Sequence, residues 1–457
     1  MPSPAAPSRL LGVLFMGTLL AALDIAIVGP ALPALRDALG LDERAVSWVF
    51  TAFVLANLAG LPVMAAWADR AGRRTVYLAD IALFAAGTLV VVLAPSFEVL
   101  LVGRVIQGLG SSGIFPVATA VIGDTFPPES RGRAVGALGA VFGVAFLIGP
   151  ALGGIMLAVA SWRWLFALSI PFAAVVFVLS ARTVPDTRAD DPKPVDAWGI
   201  VLLASLLVSL AVGLSGLDAA DLSASLSSSR VWAPLLLSAV LTAAFVAVER
   251  RAVAPLVRPG LIARRPVQIA CALAIGAGLV EATFVFLSAY AVQAFGVTKA
   301  QGSYLLLPLV FGVAIGSPLA GRMLDRIGAR PIVTGGCLLV AAGLTVIALG
   351  PSLAVHIAGT TLIGFGLAGL LGSSISYILL VEAEAAERTV AQGLSTLALS
   401  IGQLTGGALV GAIAASAVAP VVGYRAAFGM IAAVAAVLAI VAQGLRGARP
   451  SSRATTA

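Results

Sequence analysis

Long, uninterrupted runs of apolar residues make up most of the chain, and short polar segments separate them. A helix needs roughly 20 apolar residues to cross the hydrocarbon core of a bilayer, whereas a barrel strand needs about 10 residues of alternating character. The runs are continuous and long, so they predict membrane-spanning helices. Counting runs between polar breaks predicts fourteen spans, at 10–33, 46–66, 75–94, 98–123, 132–158, 163–181, 198–216, 232–249, 267–292, 303–320, 331–349, 354–381, 390–416 and 424–444.

The composition supports this prediction. Of the 457 residues, 60% are hydrophobic and only 11% are charged, whereas an ordinary soluble protein is about 45–50% apolar and about 25% charged. So few charges cannot cover the surface of a soluble protein of this size. The composition therefore excludes a cytosolic enzyme, a nucleic-acid-binding protein and a secreted disulfide-rich domain. The expected fold class is an all-α, polytopic membrane protein.

The positions of the basic residues predict the orientation. An even number of spans places both termini on one side of the membrane. Of the 28 Lys and Arg residues, 21 fall on the side of the termini and 6 on the opposite side, while Arg104 lies inside a span. Cytoplasmic segments carry the excess of Lys and Arg, so both termini are expected in the cytoplasm, in the plasma (inner) membrane. The basic residues thus mark topology, and we expect no nucleic-acid partner.

An internal repeat relates the two ends of the chain at an offset of 256 residues. The four residues Asp69, Arg70, Gly72 and Arg74 recur as Asp325, Arg326, Gly328 and Arg330, and four glycines recur in the same register: Gly103, Gly108, Gly110 and Gly113 as Gly359, Gly364, Gly366 and Gly369. Small residues let helices approach closely, which explains the glycines of one half but not the register that both halves share.

The repeat predicts the domain organisation. Spans 1–6 correspond to spans 9–14, and spans 7 and 8 are inserted between them. The expected units are a six-helix bundle at 1–182, linkers with the two inserted helices at 183–265, and a second six-helix bundle at 266–457. A displacement by an even number of helices makes the halves parallel repeats. Such repeats, with a substrate site at their interface near the midplane, are typical of secondary transporters.

Several motifs resemble those of the major facilitator superfamily, and within it the fourteen-helix drug:proton antiporter branch. They are Asp69-Arg70-x-Gly72-Arg73-Arg74 (motif A), Arg104-x-x-Gln107-Gly108-x-Gly110 (motif B), Gly149-Pro150-x-x-Gly153-Gly154 (motif C), Leu23-Asp24-x-x-Ile27-Val28 and Trp162-Arg163-Trp164-x-Phe166. The resemblance implies the major facilitator fold, with two six-helix bundles and two inserted helices. It also implies a gating role for the motif A residues and for their repeats Asp325, Arg326 and Arg330, and an antiport role for motif C. We expect Asp69 to accept hydrogen bonds from a neighbouring helix N-terminus and from Arg73, and Asp325 to pair in the same way with Arg330.

Four ionisable residues lie deep in the predicted spans: Asp24, Asp80, Arg104 and Glu281. Placing an ionisable group inside a bilayer costs at least ~2.5–3.5 kcal/mol of free energy, so each of these residues is a candidate for a structural or functional role. Asp24 lies roughly 21 Å from one face and Arg104 roughly 9 Å from the other, which is the same level in a core about 30 Å thick. We expect the two side chains to meet across the N-terminal half of the cavity, directly or through water.

Two interpretations of this pair stay open. Arg104 can hold Asp24 ionised until a proton or a substrate competes, or the pair can be a static lock between helices. The resemblance favours the first interpretation, because it implicates the motif B arginine in proton transfer.

Glu281 lies at the same depth as Asp24, but its half lacks the arginine, because Arg104 maps onto Thr360. Desolvation disfavours the charged form of an acid, so this carboxyl can be neutral when the site is empty and exchange its proton for a cationic substrate. The alternatives are a permanently protonated hydrogen-bonding group or a side chain turned toward a polar neighbour. Asp80 is expected to snorkel toward the membrane surface or to pair with Arg73 or Arg74, and His356 is expected to lie near the outer interface in contact with water.

The predicted function is a proton-coupled secondary transporter that exports amphipathic, often cationic, small molecules by alternating access. An exporter of a lipid or another physiological amphiphile is an alternative, and a membrane-embedded enzyme is disfavoured because the chain has one histidine and lacks a long polar segment. We find no nucleotide-binding P-loop motif in the sequence. We expect no cofactor and no metal, a monomer, and a small amphipathic substrate, protons and membrane lipid as partners.

Overall fold

The structure is a computed structural model that describes residues 7–188, 196–252, 255–256, 259–350, 352–371, 375, 378–379 and 388–445. These residues form long α-helices joined by short turns, and no strand occurs among them. The long helices are α1 (Pro7–Leu39), α2 (Glu43–Ala71), α3 (Arg73–Leu93), α4 (Phe97–Thr125), α5 (Pro128–Val159), α6 (Trp162–Thr183), α7 (Ala197–Ser215), α8 (Ser229–Glu249), α9 (Arg265–Phe295), α10 (Lys299–Ile327), α11 (Ala329–Leu349), α12 (Leu353–Leu371), α13 (Arg388–Ser416) and α14 (Pro420–Val441).

Within the described residues, thirteen of these helices are long and apolar enough to cross a membrane. The remaining helix is α5, which is 32 residues long but whose apolar section, Gly143–Val159, is shorter than the others. The all-α membrane fold is therefore confirmed, while the fourteenth span stays a prediction. Three helices are built from two segments each, because the helix is interrupted at Gly113 in α4, Leu168 in α6 and Leu305 in α10.

Several helices extend beyond the predicted spans. The first helix runs over Pro7–Leu39 instead of 10–33, and the second over Glu43–Ala71 instead of 46–66. An apolar run marks only the part of a helix in hydrocarbon, whereas backbone hydrogen bonds continue into polar ends. Asp42, for example, caps α2 by accepting a hydrogen bond from the Ala45 backbone N–H at 2.6 Å. The described part of the span at 354–381 is helical from Leu353 to Leu371, and most of its remainder lies outside the described residues.

The backbone confirms the register of the internal repeat. Among the described residues, four glycines have positive φ, and they form two pairs 256 residues apart. Gly40 and Gly296 have φ of 64° and 62° in the turns before α2 and α10, while Gly72 and Gly328 have 105° and 79° in the turns before α3 and α11. Only glycine adopts such angles at little cost, so both halves use one backbone plan.

The repeated glycines lie where the equivalent helices cross. A methyl group on Gly110 of α4 would lie 2.3 Å from the Phe84 backbone nitrogen of α3. Its repeat, Gly366 of α12, approaches the Val340 backbone nitrogen of α11 in the same way, at 2.8 Å. Phe84 and Val340 are themselves 256 residues apart, so the crossings of α3 with α4 and of α11 with α12 share one geometry.

We call α1–α6 the first half and α9–α14 the second half. The face that carries the start of α1 and the turn between α2 and α3 is the terminal face, and the other is the opposite face. Among the described residues, the most extensive contacts between the halves are those of α1 with α9, α2 with α13, and α5 with α10. The inserted helix α7 packs against both α2 and α13, and α8 packs on α7 with much of its surface exposed.

The apolar core is divided unequally between the two faces. One cluster contains the second half together with the opposite-face residues of the first half, such as Ile27, Phe50 and Leu58. The apolar residues of the first half at the terminal face, such as Leu14, Val76 and Val121, form a separate cluster of their own. The described apolar packing thus unites the halves at the opposite face.

Candidate transport site

Asp24 and Arg104 form a direct ion pair inside the first half. The Arg104 Nη1 donates to the Asp24 Oδ2 at 2.6 Å, and both side chains are fully buried. The contact predicted from their equal depth is therefore confirmed. A buried charge needs a partner and hydrogen bonds, and each of these groups supplies one to the other.

A network of hydrogen bonds encloses this pair. Gln107 donates from Nε2 to Asp24 Oδ1 at 3.1 Å and to the Thr88 hydroxyl at 2.9 Å, and its Oε1 accepts from Arg104 Nη1 at 2.9 Å. The Arg104 Nε donates to the Val49 carbonyl at 2.9 Å, and its guanidinium lies 4.5 Å from the centre of the Phe53 ring. The pair is therefore shared by α1, α2, α3 and α4 and is buried within the first half.

Glu281 lies in the second half, on α9. The Gln403 Nε2 of α13 donates to its Oε2 at 2.9 Å, and the residue is partly exposed. Among the described residues, no arginine or lysine pairs with this carboxyl, as expected from the threonine at the position that repeats Arg104. Of the alternatives considered for Glu281, a polar neighbour is present, but it is a neutral amide.

The Glu281 side chain lines a narrow cleft between the halves. The cleft is bounded by α5 of the first half and by α9, α10 and α12 of the second. Phe146 of α5 and Phe284 of α9 meet there edge to face, with ring centres 5.2 Å apart. The free space is about 40 Å³, which suffices for a few water molecules and is much less than the roughly 300–1,000 Å³ of a typical ligand pocket. A substrate can enter only if the halves part.

Asp24 and Glu281 lie at nearly the same depth. The helices α1 and α9 run in the same direction and touch where Gly29 meets the Val285 backbone, at 3.2 Å from a methyl group placed on Gly29. Asp24 precedes this crossing by five residues and Glu281 by four, or roughly 7 Å and 6 Å along the helix axes. Asp24 is fully buried, and Glu281 lines the cleft between the halves.

The glycines of the antiporter motif bring α5 close to two helices. A methyl group on Gly149 would lie 2.6 Å from the Ala26 Cβ of α1, and one on Gly153 would lie 2.5 Å from the Pro30 Cβ. A methyl group on Gly154 would overlap the Tyr304 ring of α10 in the second half. The helix stays continuous through Pro150. The motif thus places α5 between α1 and the other half.

At the terminal face, Arg73 joins the ends of three helices. Its guanidinium pairs with Asp69 of α2 and, at 3.4 Å, with Asp124 of α4. The Thr187 hydroxyl, just after α6, donates to the same Asp124 oxygen at 2.8 Å, and its carbonyl accepts from the Arg73 backbone N–H. The predicted contact between Asp69 and Arg73 is confirmed, and Asp124 is a partner that the sequence did not reveal.

The neighbouring motif A residues have structural contacts. The Arg70 Nη1 donates to the Ala66 carbonyl one turn earlier, at 3.1 Å. Gly72 forms the turn at φ 105°, where Asp186 packs so closely that a methyl group would lie 2.2 Å from its Oδ1. The gating role of these residues stays a prediction.

The repeated motif in the second half is arranged differently. Arg330 donates from Nε and Nη2 to the Gln443 Oε1, at 3.1 and 2.7 Å, and Gln443 donates onward to the Thr334 hydroxyl. Arg326 is exposed. The Asp325 side chain lies outside the described part of the structure, so its expected pairing with Arg330 stays a prediction.

Two expectations about single residues are wrong. Asp80 was expected to snorkel toward the membrane surface or to pair with Arg73 or Arg74, but it is fully buried, and neither of its carboxyl oxygens has a hydrogen-bond partner among the described residues. Its Oδ2 instead lies against the bend of α4, 2.0 Å from where a methyl group on Gly113 would be. The number of residues into a helix gives the depth of a side chain but not the direction in which it points.

His356 was expected to be in contact with water, but it is 1% exposed. Its ring stacks on Tyr290 with centres 5.8 Å apart and meets Phe295 edge to face at 5.5 Å. Neither ring nitrogen has a hydrogen-bond partner among the described residues. The expectation failed because α12 turns this position toward α9 instead of the membrane surface.

The sequence did not single out several polar partners. Gln107 was noted only as part of a motif. Thr88 is a single polar residue within the apolar stretch 81–93 of α3, which could have identified it, whereas Gln403 is one of several polar residues of α13. Among the described residues, no group of three or more His, Cys, Asp or Glu side chains is arranged to hold a metal ion.

The chain matches the family model described as "Major Facilitator Superfamily" over residues 14–284 and again over 269–457. It is 30% identical over 393 residues to the uncharacterized MFS-type transporter YfiU of Bacillus subtilis (strain 168), which covers 85% of this chain and 76% of the relative. It is 28% identical over 420 residues to the tetracenomycin C resistance and export protein of Streptomyces glaucescens, covering 89% of this chain and 76% of that protein.

A multidrug resistance protein B homolog of Mycobacterium tuberculosis (strain ATCC 25618 / H37Rv) is 29% identical over 419 residues, covering 88% of this chain and 74% of that protein. Among solved structures, the D-xylose-proton symporter superposes with a TM-score of 0.69 at 14% identity, covering 96% of this chain and 97% of the other. The two half-length matches, the repeated backbone and the joined halves all agree: the chain belongs to the Major Facilitator Superfamily and is a multi-pass membrane transporter for a small molecule, not an enzyme.

Proposed function

We propose that this transporter is a proton-coupled exporter of amphipathic, often cationic, small molecules. The observation that carries the proposal is the position of Glu281, an acid that lines an apolar cleft between the halves and has a neutral amide as its polar neighbour. The names of several relatives, which refer to multidrug resistance, agree with such a substrate class.

The cleft suits a cation that carries an apolar or aromatic body. Phe146 and Phe284 offer ring surfaces to such a body, and the Glu281 carboxylate offers a counter-charge. A cation over an aromatic face gains about 0.5–2 kcal/mol, with the larger values at desolvated sites. We propose that the substrate binds here after the halves separate and the cleft widens.

The coupling step is an exchange at one carboxyl group. A desolvated acid without a cationic partner favours its neutral form. When a cationic substrate binds, Glu281 releases its proton and pairs with the substrate as a carboxylate. When a proton returns from the other compartment, it neutralises Glu281 and the substrate leaves. One proton is thus exchanged for one positive charge.

We assign a second role in coupling to Asp24 and Arg104. Their network spans four helices of the first half, so a change in the charge of Asp24 would alter the packing of all four. Arg104 compensates the carboxylate while the network is closed. Protonation of Asp24 would free the arginine and loosen the helices around it.

Transport requires the two halves to rock about the midplane. The terminal-face cluster of Arg73, Asp69 and Asp124 ties the ends of α2, α3 and α4 together, and we propose that it acts as a gating element with its repeat at Asp325, Arg326 and Arg330. We propose that both termini lie in the cytoplasm and that the protein acts as a monomer in membrane lipid. Its units are the bundle at 1–182, the linkers with the inserted helices at 183–265, and the bundle at 266–457.

Transport in proteoliposomes with an imposed pH gradient tests the proposal. Wild type and Glu281→Gln are compared on a panel of cationic and neutral amphiphiles. Glu98→Gln is the matched control, because Glu98 is an exposed acid on the opposite face. We expect Glu281→Gln to lose gradient-driven transport of cations by at least tenfold, while the control keeps it.

Cation transport by Glu281→Gln that still follows the pH gradient would refute the assignment of the coupling site. Extraction of lipid by the purified wild-type protein, without transport of any compound in the panel, would instead identify an exporter of a physiological amphiphile.

A further inference from the structure

At the opposite face the two halves meet on one buried carboxylate, that of Glu43 at the start of α2. Three donors reach it: Arg36 Nη1 of the same half at 2.8 Å, Gln293 Nε2 of α9 at 2.7 Å, and the Tyr424 hydroxyl of α14. Glu43 is 4% exposed. A buried carboxylate needs such donors, so the closed arrangement of the two halves satisfies it.

A second contact between the halves lies beside this one. The Lys299 Nζ of α10 pairs with the Asp37 Oδ2 of α1 at 2.9 Å. The internal repeat relates the two contacts, because Lys299 lies 256 residues after Glu43, and Gln293 lies 256 residues after Asp37. Glu43, the first residue of α2, contacts the last turns of α9, and Lys299, the first residue of α10, contacts the last turn of α1. The two contacts therefore join equivalent positions of the two halves.

The two copies differ in strength. The Asp37 and Lys299 side chains are 45% and 37% exposed, and exposed ion pairs contribute little to stability. Glu43 is buried and accepts charge-assisted and hydroxyl hydrogen bonds, which are stronger than bonds between neutral groups. Of these two polar contacts, the one at Glu43 therefore contributes more to holding this face closed.

We propose that Glu43 is a positioning residue of the transport cycle, and that it forms with Gln293 and Tyr424 a clasp that holds the opposite face closed. Opening this face removes Gln293 and Tyr424 from the carboxylate, while Arg36 moves with Glu43 and keeps it paired. Arg36 thereby limits the cost of opening, so the clasp can release and close again in each cycle.

This inference rests on the alternating access of the proposed function, but its test needs no transport. Spin labels are attached at Ser161→Cys and Val418→Cys, which are exposed turns of the first and second half on the opposite face. The native free thiols Cys271 and Cys337 are replaced by serine. Electron-electron double resonance on the purified protein then measures the distance between the halves.

We expect Glu43→Gln to raise the ratio of long to short distances by about tenfold or more, because each hydrogen bond to a charged group contributes about a factor of ten to an equilibrium constant. Tyr424→Phe, which removes one hydroxyl donor, should shift the ratio in the same direction by less. Glu98→Gln, the exposed acid on the same face, should leave it at the wild-type value.

Wild-type distances in both Glu43→Gln and Tyr424→Phe would overturn the proposal, and so would an equal shift in Glu98→Gln. If Glu43→Gln does not insert, Tyr424→Phe alone decides the matter. A shifted ratio in a protein whose transport ignores the pH gradient would support the clasp and refute proton coupling, whereas proton-driven transport with unshifted distances would do the reverse.

Discussion

Two acids at one depth have opposite surroundings. Asp24 is fully buried and receives hydrogen bonds from Arg104 and Gln107, while Glu281 lines the apolar cleft between the halves and receives one from Gln403. An arginine partner favours the charged form of an acid, and desolvation without one favours the neutral form. This difference is the reason why we propose that Glu281 exchanges protons for substrate and that Asp24 has a supporting role.

Variants of the Asp24–Arg104 pair can distinguish a network that takes part in coupling from a static contact between helices. Asp24→Asn leaves Arg104 buried without a counter-charge, so we expect it to destabilise the protein by about 3–5 kcal/mol. The double variant Asp24→Asn/Arg104→Gln removes both charges and should recover most of that stability. Thermal unfolding in detergent measures both effects.

Transport by the double variant then distinguishes the two interpretations. If the network takes part in coupling, the double variant is stable but its transport driven by a pH gradient stays at least tenfold below that of the wild type. Wild-type transport by the stable double variant would show that the pair is only a lock between helices.

At the scale of residues, the sequence predicted how deep a side chain lies in the membrane better than the direction in which it points. Counting residues into each helix was enough to bring Asp24 to Arg104, because a helix rises by a constant amount per residue. The same count could not show that Asp80 points into the first half or that His356 points toward Tyr290. Those directions depend on how each helix is rotated against its neighbours, which a single sequence does not specify.

At the scale of helices, glycine positions set how closely neighbours approach. The pairs α3–α4 and α11–α12 cross at glycines 256 residues apart, with backbone against backbone. Without a strong hydrophobic force between helices in lipid, close packing of this kind is a main source of stability. The repeat in the sequence therefore corresponds to a repeat of the contacts between α3 and α4 in those between α11 and α12.

Two glycines of α4 offer a matched test of this packing. A methyl group on Gly110 would lie 2.3 Å from the Phe84 backbone nitrogen, whereas one on Gly123 would meet nothing within 4 Å. We expect Gly110→Ala to destabilise the protein by about 1–3 kcal/mol or more, because backbone atoms must shift. Gly123→Ala should be neutral or stabilising by up to about 1 kcal/mol.

Unfolding temperatures in detergent compare the two variants. Equal stability of Gly110→Ala and Gly123→Ala would contradict the close crossing of α3 and α4.

The existence and order of the helices followed from apolar runs, because each run had to be long enough to cross a bilayer. Their ends did not, since α1 and α2 continue for several residues into polar sequence. The interruptions at Leu168 and Leu305 also carried no signal, because leucine is an ordinary helix former.

At the scale of the whole molecule, two halves with one backbone plan carry different charges. The first half holds Arg104 and the second holds Thr360 at the equivalent position, while Glu43 and Lys299 are repeats of opposite sign. The sequence predicted the repeat and the interface between the halves. It did not predict that the described packing unites them at the opposite face. That packing depends on how the two halves are oriented against each other, which a single sequence does not specify.

The central claim is that Glu281 exchanges a proton for a cationic substrate. Proton release on substrate binding tests it most directly: a cationic substrate is added to purified, weakly buffered protein, and the change in pH is recorded with a dye. We expect about one proton per bound cation in the wild type and in Glu98→Gln, and none in Glu281→Gln at saturating substrate. Full proton release by Glu281→Gln, or cation binding to the wild type without any release, would contradict the account.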